Sequence, residues 1–201
     1  MNRNVYNGKL VAIDGPNGAG KTTIIQELKK ELEKREIDTY FTKEPTGNEL
    51  GCFVREYAEK SKGISIACLV AADRYQHLQD EIIPQLEKGK IVITDRYILS
   101  SLILQRMDEV SEEFIMELNN EIIQPDLQIA VFADSQIIQS RLKERDSLTR
   151  FEKDNKTNIE LKYMERGIQI LQEKGINVFK LVNDDDLKGN VFRVIQEIIN
   201  L

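Results

Sequence analysis

The chain has no tryptophan, one histidine (His77), two cysteines (Cys52 and Cys68) and no long apolar run. Each scarcity removes a class of protein. The two cysteines are far apart and have no cysteine or histidine at ligand spacing, which leaves neither a disulfide framework nor a zinc site. They read as reduced thiols of a cytoplasmic protein. His77 lies in a helical stretch and reads as a packing or surface residue, not a catalytic base. No apolar run approaches the roughly 20 residues of a membrane span, and Met1 to Tyr6 is polar, so neither a span nor a signal core is expected. A net charge of −6 speaks against the broad basic surface of a general nucleic-acid binder, although it says nothing about where single arginines sit.

What is present is enough for a folded core. Hydrophobic residues make up 41%, which excludes wholesale disorder, and 201 residues suit a single domain (1–201) carrying a small lid. There is no internal repeat and no Pro/Gly/Ser linker. Short apolar runs alternate with longer helical ones. Strands are predicted at Lys9–Asp14, Asp38–Thr42, Lys90–Thr94, Leu127–Phe132 and Asn177–Leu181. Helices are predicted at Thr22–Arg35, Asn48–Lys60, Ile64–Lys88 (ended or kinked by Pro84), Ile98–Met107, Glu112–Ile123, Gln136–Glu144, Asn158–Glu173 and Leu187–Leu201. Parallel strands need helical crossovers, so this alternation predicts an α/β fold: a five-stranded parallel sheet with helices on both faces.

Gly15-Pro16-Asn17-Gly18-Ala19-Gly20-Lys21-Thr22 fits G-x-x-x-x-G-K-[ST], with a strand before it and a helix after it. The glycines let backbone N–H groups turn inward around phosphate oxygens, and the helix N-terminus adds partial positive charge. Lys21 is expected to reach the β- and γ-phosphates of a nucleoside triphosphate, and the Thr22 hydroxyl to bind Mg²⁺. Gly15, Asn17, Gly18, Ala19, Gly20 and Thr23 complete the expected ATP site, with Arg141 beside them. A Gly-rich turn without ligand is the bland alternative, and motif plus context argue against it.

Ligands bind at the carboxyl ends of strands in open α/β sheets. Three acidic residues sit at such ends: Asp14, Glu44 and Asp95. Asp95 is expected to hold a Mg²⁺-bound water or to position Lys21, Asp14 to face the transferring phosphate near the metal, and Arg96 to clamp an acceptor phosphate through its guanidinium fork. The bland alternatives are a salt bridge for Asp95 and Arg96 and a turn or cap for Asp14. Arg74, after two alanines on a helix, reads equally as ligand contact or as close packing. A basic segment, Arg141 to Arg150, sits between a helix and a charged run. The phosphate loop has no base besides Lys21, so a lid at about 143–156 that brings Arg145 or Arg150 onto the phosphates would supply missing charge and exclude water. The alternative is a solvated helix end.

Together the segments IDGPNGAGKTT, TKEPTGNELGCFVREY, AADRYQH, IVITDRYILSS and QPDLQIAVF resemble bacterial thymidylate kinases over nearly the whole chain. The resemblance implies a P-loop NTPase fold, Mg·ATP-dependent phosphorylation of dTMP to dTDP, and a homodimer. It implies that Arg55 and Arg96 clamp the acceptor phosphate and that Arg74 reads the base. Glu44, Tyr97, Ser101 and Gln105 would belong to the acceptor site, and Arg145 and Arg150 would serve as lid arginines. Departures cluster at the nucleoside. Val70 stands where the family has a stacking Phe, Leu104 where a Tyr precedes Gln105, Lys43 where an Arg precedes Glu44, and Arg106-Met107-Asp108 where a Gly-rich segment is expected. A kinase for another nucleotide or a related phosphorylated metabolite, or a P-loop switch with slow ATP hydrolysis, stays open at this point. The switch would need no acceptor pocket; Arg55, Arg74 and Arg96 argue against it, and this sequence has no switch-like DxxG after a strand.

Overall fold

The computed structural model describes residues 1–145, 148–153, 156–183 and 186–201. The expected lid segment, 143–156, therefore lies in part outside the described residues. Strands β1 (Lys9–Asp14), β2 (Thr39–Lys43), β3 (Ile91–Asp95), β4 (Leu127–Phe132) and β5 (Val178–Val182) form one sheet in the order β2-β3-β1-β4-β5. Every pairing is parallel.

β1 runs through the middle, and its alternate side chains enter two different cores. Leu10 and Ala12 face a layer that includes Leu99, Leu102 and Ile103 of α5 (Ile98–Met107) and Met164, Ile168 and Leu171 of α9 (Thr157–Glu173). Val11 and Ile13 face the other layer, built from α1 (Lys21–Lys34) and α10 (Leu187–Ile199). In α1 the buried apolar residues are Ile24, Leu28 and Leu32, about one turn apart; in α10 they include Val191, Val194, Ile195 and Ile198. Full burial of each such side chain contributes about 1.5–3 kcal/mol. Gly167 lets α9 lie close to α5, since a Cβ there would stand 2.7 Å from Leu99 Cδ1.

The remaining helices are α2 (Glu49–Ala58), α3 (Ile64–His77), α4 (Ile83–Glu87), α6 (Glu112–Leu118), α7 (Ser135–Lys143) and the short α8 (Arg150–Lys153). The single helix expected at Ile64–Lys88 is α3 and α4 joined by a π turn at Leu78–Ile82. Pro84 has no N–H to give to the turn before it, and a wider turn absorbs that break without ending the helix. α6 stops at Leu118, short of the expected Ile123, because the Asn119 side chain donates to Ile115 O and turns inward.

Chain connections leave β1 toward β2 on one side and pass from β3 to β4 on the other. The direction of winding therefore reverses where the loops after β1 and β3 lie side by side, the position at which open α/β sheets bind ligands. Both motif-bearing loops start there.

Candidate active site

The loop after β1 wraps into α1 with no side-chain cap at Gly20 and no acidic residue in the first turn. Both omissions leave the helix's first N–H groups for an anion. Gly20 has φ 91°, and a Cβ there would stand 2.2 Å from Asn183 Nδ2, so only glycine fits. Lys21 is buried and donates to Gly15 O (2.8 Å) and Pro16 O (2.9 Å). Burial, then the neighbouring Arg96, lowers its pKa to about 7, against the pull of Asp95, Asp14 and Glu160. A polyanion in the loop would reverse that balance and favour the ammonium.

A cavity of about 440 Å³ opens on this loop, lined among others by Asn17, Lys21, Thr22, Thr23, Arg141 and Arg145. Arg141 Nη1 lies 3.4 Å from Gly18 O. Asp95 reaches the same cavity, and its buried Oδ1 has no hydrogen-bond partner among the described residues. Thr22 and Asp95 thus line the same cavity.

Arg96 has φ 76°, a conformation uncommon for a side-chain-bearing residue and frequent at functional sites. It is held there by its own N–H on Ile13 O (2.9 Å) and by Thr94 Oγ1 donating to its carbonyl (2.9 Å). The result aims the guanidinium at the phosphate loop. Nη2 donates to Asn17 Oδ1 (2.6 Å) and Nη1 to Ser100 Oγ (3.1 Å).

On the far side of Arg96 and Asn17 lies a second cavity of about 380 Å³. Glu44, Arg55, Val70, Arg74, Ser101 and Gln105 line it, and Leu104 as well. Arg74 is 1% exposed and uses every guanidinium nitrogen: Nε to Glu44 Oε2 (2.8 Å), Nη1 to Asn119 Oδ1 (2.7 Å), Nη2 to Ser101 Oγ (3.0 Å) and to Tyr97 O (3.1 Å). Arg74 is therefore packed, and not solvated, and it forms part of a cavity wall. Glu44 is held from its other side by His77 Nδ1 (3.3 Å), and His77 Nε2 meets Thr42 Oγ1 (2.7 Å). His77 is a buried packing residue, as its helical setting suggested. Arg55 is draped on the carbonyls of Pro45 and Thr46, the latter at 2.7 Å. Gln105 Oε1 is buried without a partner among the described residues, an acceptor facing a cavity that has polar ligands to offer only if something binds.

Three expectations need correction. Asp14 does not face the transferring phosphate. It is fully buried and accepts from Tyr97 N (3.0 Å), Ser100 N (3.0 Å), Ser100 Oγ and Gln128 Nε2 (2.9 Å), so it anchors the start of α5. Tyr97 does not line the acceptor cavity. Its hydroxyl donates to Ile123 O (2.9 Å), its ring lies 5.3 Å under the Arg74 guanidinium, and burial raises its pKa well above the ordinary value. Arg150 does not reach the phosphate loop: its guanidinium lies on Asp108, at 2.6 and 2.5 Å. Arg145 does line the loop's cavity, with Nη1 on Glu152 Oε1 (2.6 Å).

Among the residues of the site that escaped the sequence reading, the following matter most. Asn183 follows β5, donates to Ala19 O (2.7 Å) and lines the first cavity; the strand-end rule applied to β5 would have found it. Glu160 accepts from Asn17 N (3.3 Å), and burial raises its pKa to about 7 against the pull of that N–H, Arg96 and Lys21. Thr149 and Phe151 line the second cavity, from a charged stretch with no periodic signal.

The thymidylate kinase family model matches residues 13–186. A probable thymidylate kinase of Pyrococcus abyssi is 34% identical over 96% of this chain and 95% of its own length. Another, from Pyrobaculum aerophilum, is 37% identical over 71% of this chain and 73% of its own. The thymidylate kinase of Caldicellulosiruptor saccharolyticus is 39% identical over 68% of this chain and 70% of its own. Among solved structures, the thymidylate kinase of Ehrlichia chaffeensis shares the fold, with a TM-score of 0.69 over 96% of this chain and 99% of that one at 22% identity. A phosphate loop and an arginine-lined second cavity on one sheet edge, with family similarity along nearly the whole length, place this chain in the thymidylate kinase family.

Proposed function

We propose that the protein transfers the γ-phosphoryl group of ATP to dTMP, giving ADP and dTDP. The observation that carries this is the common wall: Asn17 and Arg96 line both cavities, so the two phosphate groups meet at one guanidinium. ATP occupies the loop cavity with its phosphates on the backbone N–H groups of Gly18 to Thr22. The monophosphate occupies the second cavity, its phosphate on Arg55 and Arg96 and its base toward Arg74, Gln105, Val70 and Leu104. An acceptor phosphate oxygen attacks the γ-phosphorus in line, and the bond to the β,γ-bridging oxygen breaks. Lys21, Arg96 and Arg145 stabilise charge on the equatorial oxygens, with Arg141 beside the loop.

Mg²⁺ suits this site. Among the described residues no three carboxylate, histidine or cysteine side chains cluster as a metal cage, and the donors at hand are the Thr22 hydroxyl and the unpaired Asp95 Oδ1. That set fits an ion which keeps waters and takes most ligands from phosphate. Bound there, Mg²⁺ would neutralise β,γ-phosphate charge.

The same reading takes residues 1–201 as a single domain with a lid at about 143–156, and a cytoplasmic homodimer as its form. Phe53 of α2 and Ile64 of α3, exposed apolar side chains, support a partner surface, and two exposed free cysteines suit a reducing compartment. No described helix is long and apolar enough to cross a membrane. The test is turnover of dTMP, dUMP, dCMP and dGMP with Mg·ATP. The highest kcat/KM is expected for dTMP. No phosphorylation of dTMP with good turnover of another monophosphate refutes the acceptor while keeping the kinase.

A further inference from the structure

Asp108 closes α5, at its C-terminal end, one turn beyond Gln105. A carboxylate is disfavoured there, because the helix dipole places negative charge at that end. It is also nearly buried, with its side chain 4% exposed, which adds a desolvation cost. What offsets both is a two-pronged contact from Arg150, with Nη1 on Oδ1 (2.6 Å) and Nη2 on Oδ2 (2.5 Å).

Arg150 makes further contacts. Its Nε donates to Ala58 O at the end of α2, and its backbone N–H donates to Glu59 Oε2 (3.1 Å). Its guanidinium lies 4.0 Å from the centre of the Phe151 ring. One side chain thus ties α8 to the ends of α2 and α5. Each of these three elements brings residues to the acceptor cavity: Ala58 and Glu59, Gln105, and Phe151.

We propose that Asp108 is a positioning residue which, through Arg150, holds α8 and its Phe151 against the acceptor cavity and so sets acceptor affinity. This rests on the second cavity being the acceptor site. The charge of Arg150 is neutralised on Asp108 rather than offered to the phosphates, so its effect falls on closure and not on the transition state. The pair is also suited to opening. Both groups regain hydration when they separate, so the net energy of such a buried pair is far below its Coulomb attraction.

The experiment is a double-mutant cycle of Asp108→Asn, Arg150→Gln and both together. KM for dTMP, KM for ATP and kcat are read by steady-state assay. Hydrogen exchange at residues 148–153 is read in parallel. Each single variant is expected to raise KM for dTMP about tenfold, the scale of a lost charge-assisted contact. KM for ATP and kcat should move much less, and the double variant should be no worse than either single. Exchange at residues 148–153 should quicken in all three. Unchanged KM for dTMP, multiplying effects, or an equal rise in KM for ATP overturns the proposal. Should Asp108→Asn fail to fold, Arg150→Gln, on a short surface helix, carries the same reading. If the wild type does not phosphorylate dTMP at all, the acceptor assignment fails separately, and the exchange arm still decides whether Asp108 holds α8.

Discussion

Arg74→Ala is expected to cost fold stability before it costs recognition. Its guanidinium is buried and satisfies Glu44, Asn119, Ser101 and the Tyr97 carbonyl at once. Among the described residues, truncation leaves the Glu44 carboxylate, in a residue 6% exposed, with His77 as its remaining side-chain partner. Breaking a buried ion pair from one side costs about 3–5 kcal/mol, because an uncompensated charge remains. Set against the roughly 5–15 kcal/mol of stability of an ordinary domain, that is a large fraction. For a chain of this length each kcal/mol lowers Tm by about 2–4 °C, so a fall of about 6–20 °C is expected. Urea and thermal melts followed by circular dichroism measure it. The companion variant Arg74→Met with Glu44→Gln removes both charges and is expected to be more stable than Arg74→Met alone, although neither should discriminate bases. An Arg74→Ala protein within about 1 kcal/mol of the wild type would falsify the claim that this arginine holds the cavity wall together.

Lys21→Ala should fold but lose at least about 10²-fold in kcat, the scale of removing one preorganised charge from a transition state; near-normal turnover would sink the phosphate-loop assignment. Val70→Phe is expected to tighten dTMP binding by up to about 1–3 kcal/mol, the range of base–aromatic stacking, if the cavity already shared with Phe151 has room; lower activity on every acceptor would show that it has been reshaped. The pKa of Glu160, raised to about 7 in the folded protein, means that the native state holds the proton more tightly than the unfolded chain between pH 4.5 and about 7. This contribution is full below pH 4.5 and is lost as pH rises through about 7, so Glu160→Gln should flatten the stability profile over that window in urea titrations. A parallel profile for both proteins refutes it.

Some of this molecule was legible before any coordinates. The phosphate loop is a local signature whose strand, turn and helix are adjacent in sequence, so its geometry follows from eight consecutive residues. The β-branched runs of β1, β3 and β4 are short and bounded, and parallel pairing follows from the helices between them. Arg145 and Arg150 could not be told apart in the same way. They lie on one basic stretch with similar neighbours, and what separates them is Asp108, distant in sequence, which claims one of the two. Asp14 was misread for a related reason. A carboxylate at a strand end looks alike whether it meets a ligand or caps α5, and Tyr97 N and Ser100, more than eighty residues later, decide. The π turn before Pro84 is a choice between ending a helix and widening it, and packing of Leu78 and Ile82 into the core chooses widening.

The wall between the cavities has a thermodynamic corollary. Arg96 and Asn17 belong to both sides and are bonded to each other, so a phosphate drawn to Arg96 from one side changes the partner that Asn17 offers on the other. Linkage is reciprocal: whatever factor ATP applies to dTMP affinity, dTMP must apply to ATP affinity. On the proposed reading, the side chain that stands between the two substrates is also a means by which each registers the presence of the other.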